Sequence, residues 1–322
     1  MATSNLNTAW KTDLYPIVDK VFDYEYRSRM ALLRQIVSEE DSASASYRIE
    51  GAGGFGELPA YAGELTGLDQ KRGFITVITP TERAGAIDID FKYAKIDKSG
   101  EAKRAGRRAA YSAAMSVYMG VLRMFGNAFN SDIVGGDGKS WAATDHPVAS
   151  KASDATGTAT ADSEAGTYSN LINKELSVSA ITEANIMANR FVTPDGLPFL
   201  TDFFSNGILL VSPELEGKAR EICGPQAKLS PEQNPEGDTF AANPVYGMKY
   251  MVIGGGDAGF TAKQWAVADM TLLRDCAKIV YISRPTVLRS ELDNPLIARV
   301  VPYVDFGVGW SDARPIIFSN PA

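Results

Sequence analysis

One histidine and two cysteines are all that a chain of 322 residues offers to the commonest protein chemistries. Histidine is the usual general base near neutral pH and the commonest metal ligand. A single copy, His146, excludes a histidine cluster, an H-E-x-x-H zinc site and a finger built on two cysteines and two histidines. Cys223 and Cys276 make neither a disulfide framework nor a four-cysteine metal site, which suits a reducing compartment. No window reaches 18 apolar residues, so no membrane-spanning helix is expected. The opening MATSNLNTAW lacks the basic patch and apolar run of a signal peptide. Positive charge is not in excess either: 32 Lys+Arg against 39 Asp+Glu leave a net −7. A dedicated nucleic-acid reader would need a basic face. There is no P-loop and no nucleophile elbow. The acidic spots Asp88/Asp90, Glu214/Glu216 and Glu291/Asp293 lack the acceptor-plus-glycine order of a calcium loop and read as solvated faces.

What is present is ordinary globular material, 45% hydrophobic and 22% charged. The length suits two compact domains with extensions. Residues 1–45 read as a helical arm in which Trp10, Leu14, Ile17 and Val21 share a face and Met30, Leu33 and Ile36 or Val37 continue it. Pro16 and the aromatic cluster Phe22, Tyr24, Tyr26 are expected to divide it into two helices. Seven glycines between Gly51 and Gly73 exclude helix there. Phe74–Thr79 and the alternating Ile87, Ile89, Phe91, Tyr93 then predict strands, so 51–93 reads as a long two-stranded excursion that needs a partner to lie on.

Residues 101–129 carry the strongest helical pattern. Tyr111, Met115, Tyr118, Leu122, Phe125 and Phe129 step by four and three, and Ala109, Ala113, Val117 and Val121 widen the stripe. Such a helix is roughly 43 Å long. Its early cations, Lys103, Arg104, Arg107 and Arg108, form either a solvated face helped by Glu101 or a set that meets carboxylates of another subunit. Residues 149–170 are a polar low-complexity tract, expected as an exposed loop. Beyond it, helix is expected at Ser179–Arg190, and at a short element opened by Ser212 as cap with Pro213 first. Strands are expected at Gly207–Val211, Met248–Ile253, Gln264–Ala268 and Ala277–Ile282, with a final pair of strand halves around Pro302.

Two stretches match G-x-G-x-x-G. Gly51–Gly56 is followed by residues that cannot open a helix, so a dinucleotide reading fails there. Gly254–Gly259 follows a good strand, Tyr250–Ile253. The segment after it lacks the residues that press a helix on a sheet, however, and no βαβ unit precedes it. A glycine-rich hairpin or inter-strand loop is the better expectation. His146 sits in Thr144-Asp145-His146-Pro147, where an adjacent Asp cannot orient the ring as a triad requires. A structural turn is expected, with Thr144 or Asp145 capping backbone amides. Both cysteines read as buried, inert thiols.

The order of parts resembles the tailed-phage major capsid proteins of the Hong Kong 97-like fold: helical arm, Gly-rich excursion, very long helix, α/β region, terminal strand. Asp137-Gly-Lys-Ser-Trp-Ala-Ala-Thr-Asp-His-Pro147 with Ser169-Asn170 is similar to the "DG…F…TDHP…SN" stretch of Mu-like major head subunits. Trp265–Asp269 followed by Arg284-Pro285, Phe306–Arg314, and Leu58–Glu64 resemble further segments of that family. The resemblance implies an α+β, non-enzymatic virion shell subunit without cofactors or metals. Its parts would be an arm and entry to the peripheral domain (1–50), an extended loop (51–93), a peripheral domain (94–175 and 285–322) and an axial domain (176–284). The implied partners are copies of itself in pentamers and hexamers, a separate scaffolding protein, a portal, a decoration protein and non-specifically held double-stranded DNA, with assembly in the host cytoplasm. Contact candidates between subunits are Phe55, Leu58, Tyr61, Phe74, Trp10, Leu14, Arg104, Arg107 and Arg108. The rivals are an encapsulin-type compartment shell and a flavin or nicotinamide enzyme using Gly254–Gly259.

Overall fold

The computed structural model describes residues 6–52, 57, 58, 60, 61, 63, 65, 72–150, 161, 162, 164–224, 243–255, 258–290 and 296–321. The arm is one helix, Leu6–Met30, running unbroken through Pro16 rather than splitting there. Pro16 faces solvent, and an interior proline costs about 3 kcal/mol. On the opposite side Leu14, Val18, Phe22, Tyr26 and Met30 follow at four-residue intervals, all at 8% exposure or less. Burial contributes roughly 1.5–3 kcal/mol for each large apolar side chain, so the stripe outweighs the proline.

The stripe lies on a second, longer helix, Lys98–Gly126, closed by a tight turn at Asn127–Phe129. The expected span of 101–129 is therefore shifted at its start by three residues. The Asp97 side chain caps it by accepting from the Gly100 amide at 2.9 Å, and Glu101 occupies the first turn. The cations at 103–108 thus stand in the second and third turns, beyond the reach of the dipole. The buried seam is made of small residues, among them Ala102, Ala105, Ala109, Ala110, Ala113 and Ala114. Two glycines mark the closest approaches. A Cβ at Gly106 would stand 2.9 Å from the Val18 carbonyl oxygen of the arm helix, and one at Gly120 would stand 2.8 Å from the Phe306 ring.

Phe306 belongs to a long antiparallel pair, Ala277–Ser290 with Ile297–Trp310. Ser38–Asp41 adds in parallel at one edge. Thr81–Ala84 and Ile87–Asp90 add at the other. The strand passes straight through Pro302, where two halves were expected. The Pro302 carbonyl accepts from the Gly85 amide at 3.2 Å. Its missing N–H faces the same side, where the edge strands stop at Ala84 and resume at Ile87. The gap removes the need for a donor. The alternation expected to run on through Phe91 and Tyr93 ends at Asp90, because Phe91–Ile96 turns into a helix that carries Ala94 into the core beside Leu14, Val18 and Ile89. Among the described residues the projecting hairpin is formed by Tyr47–Ala52 and Arg72–Ile78; residues 81–90 are part of the sheet.

A second sheet runs in the order Lys249–Val252, Gly207–Val211, Trp265–Asp269, Ile316–Ser319, Leu171–Ile172. Its three middle strands are buried along their whole length. Alternate residues face two cores, as a period of two requires. Ile208 and Leu210 look toward the long helix, while Leu209 and Val211 meet the helices Val178–Ala188 and Glu216–Cys223. Ser177 caps the first of these helices, accepting from the Ala180 amide at 3.1 Å. Ser212 does not cap as expected: its hydroxyl donates to the Ala262 carbonyl at 2.6 Å, and a 3-10 turn Pro213–Leu215 precedes the helix. The last strand, expected among the closing strands of residues 285–322, lies inside this second sheet, so the C-terminal segment ties the two sheets together.

Candidate assembly surfaces

The root of the projecting hairpin is held firmly. Ile78 is 3% exposed and sits over Gly307 and Gly309, where any Cβ would come within 2.8 Å of it. Thr76 Oγ1 accepts from the Gly136 amide at 3.1 Å. Gly136 is pressed so close to the Ile75 carbonyl that a Cβ would stand 2.5 Å from that oxygen. Phe74 is half-buried and lines a cavity of about 130 Å³ with Asp137, Tyr168 and Arg314. Farther out the hairpin changes character: Leu58, Tyr61 and Leu65 are 77%, 75% and 94% exposed. Phe55 lies outside the described residues.

The other contact candidates are placed differently. Leu14 is fully buried in the chain's own core, so it is not available to a neighbour. The face expected from Trp10, Leu14, Ile17 and Val21 is rotated, because the small-residue seam accepts the i, i+4 stripe instead. Trp10 is half-buried, its ring edge-on to Phe91 with centroids 5.3 Å apart. Arg104 pairs with Glu101 of its own helix and lies 3.9 Å from Asp97. Arg107 reaches Glu25 of the arm helix at 3.4 Å. Arg108 is exposed. Exposed charge pairs of this kind contribute roughly 0–1 kcal/mol.

One surface was not foreseen. Tyr111, Met115 and Tyr118, read from sequence as the middle of the buried stripe, stand at its edge. With Ala114, Leu32 and Arg29 they line an open cleft of about 250 Å³. Leu32 is 62% and Tyr111 50% exposed, and the Arg29 guanidinium lies 5.2 Å from the Tyr111 ring centre. Leu32 could have been noticed: it falls off the stripe that Met30 and Leu33 continue.

The His146 turn is a structural knot of another design than expected. His146 is fully buried; its Nδ1 lies 2.6 Å from Asp137 Oδ2, and its ring stacks on Tyr168. With Nδ1–H donating to the carboxylate, Asp137 fixes the tautomer. Thr144 is exposed, Asp145 pairs with Lys139, and Pro147 joins His146 in a two-residue strand against Thr167–Tyr168. Asn170, also fully buried, spends its whole amide: Nδ2 donates to the carbonyls of Trp141 and Ala313, and Oδ1 accepts from the Ala143 amide. Sequence reasoning missed Arg314. It is 8% exposed, 3.3 Å from Asp312 and packed over the rings of Tyr168 and Phe199. Burial pushes the Tyr168 hydroxyl well above its ordinary value.

Neither cysteine is poised as a nucleophile. Burial pushes Cys223 up to about 11 and Cys276 higher still, and a thiol is reactive only as thiolate. Gly254–Gly255 and Ala258–Gly259 close a small hairpin, with no helix opening behind them. The glycine at 259 has φ of +91° and lies where a Cβ on Gly126 would come within 2.5 Å of its carbonyl oxygen. These glycines serve close packing against the end of the long helix, which removes the structural basis for a nucleotide turn.

Neither a protein-family model nor a curated protein sequence matches the chain. Solved structures do. A capsid of an empty GTA particle matches over 91% of this chain and 90% of its own, with a TM-score of 0.50 and 15% identity. Mycobacterium phage Patience matches over 100% and 90% (TM-score 0.49, 12% identity). A virus-like particle from Pyrococcus furiosus matches over 94% and 97% (TM-score 0.49, 8% identity). At these identities the likeness is one of fold. The chain has the α+β, Hong Kong 97-like fold of capsid shells.

Proposed function

We propose that this chain, built on a capsid fold, is a major capsid subunit that assembles through pentamers and hexamers into an icosahedral shell around double-stranded DNA. The work is geometric and not catalytic. The observation that carries it is the hairpin, whose root is locked into the body while Leu58, Tyr61 and Leu65, among the described residues, stay largely exposed. Exposed apolar clusters mark surfaces that another molecule covers. A neighbouring copy is the cover in a lattice, and the cleft around Leu32, Tyr111 and Met115 is an apolar surface of the kind such a tip needs. Part of the stability then resides in the lattice rather than in the monomer.

In this assignment 51–80 act as the extended loop, with 81–90 rooted in the peripheral sheet. The long helix is the peripheral spine, and 176–284 form the axial domain completed by the last strand. A scaffolding protein, a portal and a decoration protein are its partners in the virion, with assembly in the host cytoplasm. A subunit of net −7 holds DNA weakly and without sequence preference. The test is to express the full chain with its scaffolding partner and image the particles by negative-stain electron microscopy. Closed shells that protect DNA from nuclease are expected. Shells enclosing protein cargo would instead mean a compartment, and subunits that never associate would overturn the assignment.

A further inference from the structure

A cleft of about 440 Å³ opens between the 3-10 turn Leu33–Gln35, the start of the edge strand Lys249–Val252 and the helix Met270–Cys276. Three cations from three distant stretches of an acidic chain converge on it: Arg34, Lys249 and Arg274. Arg34 already grips Glu39 through Nε and Nη2 at 3.0 and 3.3 Å. Lys249 and Arg274 are exposed and, among the described residues, form no ion pair. Two hydroxyls join them. Ser38 Oγ is buried without a hydrogen-bond partner. Thr271 Oγ1 accepts from Asn206 Nδ2 at 2.7 Å, which leaves its O–H to donate. Asp275 is the one carboxylate on the lining and Met270 the one large apolar side chain.

We infer that this cleft is a phosphate site that holds the phosphodiester backbone of nucleic acid. Cations and hydroxyls are the donors that phosphate oxygens take. The absence of aromatic side chains on the lining excludes base stacking, so contact is to backbone alone. An acidic peptide fits less well, because peptide docking relies on apolar anchors and Met270 alone offers one. The inference rests on the shell assignment only for the source of the phosphodiester.

The test uses purified full-length subunit and a fluorescein-labelled 20-base-pair duplex, with binding followed by anisotropy across a salt series. Each phosphate contact adds about 0.9 to the slope of log K against log salt. Lys249→Ala/Arg274→Ala should therefore flatten that slope by roughly 2 and weaken binding by roughly 30- to 100-fold near 0.1 M salt. The control pair Lys218→Ala/Arg220→Ala, exposed cations on the helix Glu216–Cys223, should change neither. Equal slopes for wild type and the cleft variant, or an equal loss in the control, would overturn the inference. So would cleft-dependent binding of inorganic phosphate or of poly-glutamate with duplex binding unaltered, which would assign the cleft to a free anion or an acidic peptide. Electron microscopy of the cleft variant expressed with the scaffolding partner separates the two claims: shells that form normally, together with an unchanged slope for the purified subunit, sink the cleft alone.

Discussion

Leu14 and Leu65 both lie in segments that sequence reasoning places outside the compact domains, yet one is fully buried and the other 94% exposed. The difference is not in their own hydrophobicity. The arm helix meets a facing seam of alanines with Gly106 at the closest point, and that seam lets two backbones approach until five side chains are covered. The tip of the hairpin is flanked in sequence by glycines and Pro59, and its described residues Leu58, Tyr61 and Leu65 are 77%, 75% and 94% exposed. An apolar residue is internal when a complementary surface exists in the same chain, and is otherwise a request for a second chain. The two segments expected to reach outward therefore divide: the arm stabilises the subunit, and in the assembly proposed above the hairpin is the part left to connect it.

This contrast can be broken in graded steps. Replacing 53–71 by a short Gly-Ser turn should abolish shell formation while leaving the subunit's thermal midpoint unchanged, read by electron microscopy beside calorimetry. The cut is chosen to spare Thr76 and Ile78, since removing them would also uncover Gly136, Gly307 and Gly309. Leu14→Ala should do the reverse, costing roughly 2–5 kcal/mol of subunit stability in denaturant unfolding. Gly106→Ala should cost roughly 1–3 kcal/mol, because its new methyl meets the Val18 carbonyl backbone, which cannot step aside. Arg107→Ala, by contrast, should cost no more than about 1 kcal/mol, since its bridge to Glu25 is largely exposed.

A smaller effect concerns the strand that leads into the hairpin. Burial alone would raise the Glu40 carboxyl, but hydrogen bonds from Lys278 and Tyr47 outweigh it and hold the group below its ordinary value. A depressed carboxyl contributes stability that is present above its unfolded value near 4.3 and fades as pH falls through the folded one. Protection of the Ser38–Asp41 amides, with exchange rates corrected for their intrinsic pH dependence, should thus fall first as pH is lowered below about 4, before the arm helix loosens.

The long helix was legible because a pattern of 29 residues overrides local ambiguity; it starts three residues earlier than expected, where Asp97 supplies the cap. Two of the fully buried strands of the second sheet, Gly207–Val211 and Trp265–Asp269, were legible as continuous apolar runs; Ile316–Ser319 was not singled out. What could not be read was pairing. Pro302 looks like a strand end until the break at Gly85–Ala86 is seen opposite it, and Pro16 looks like a helix end until the buried stripe is weighed against it. His146 and Asp137 are nine residues apart and meet only because the turn folds. The aromatic positions Tyr111 and Tyr118 satisfied the helical period but were displaced to the edge by smaller neighbours that let the arm come close.

Shell formation by a Leu58→Ser/Tyr61→Ser/Leu65→Ser chain, measured beside wild type by sedimentation velocity at matched concentration, tests most directly the claim that the hairpin tip connects subunits. The account predicts wild-type shells and a variant that stays as folded, unassembled subunits with an unchanged thermal midpoint. Shells from the variant in wild-type yield would contradict it.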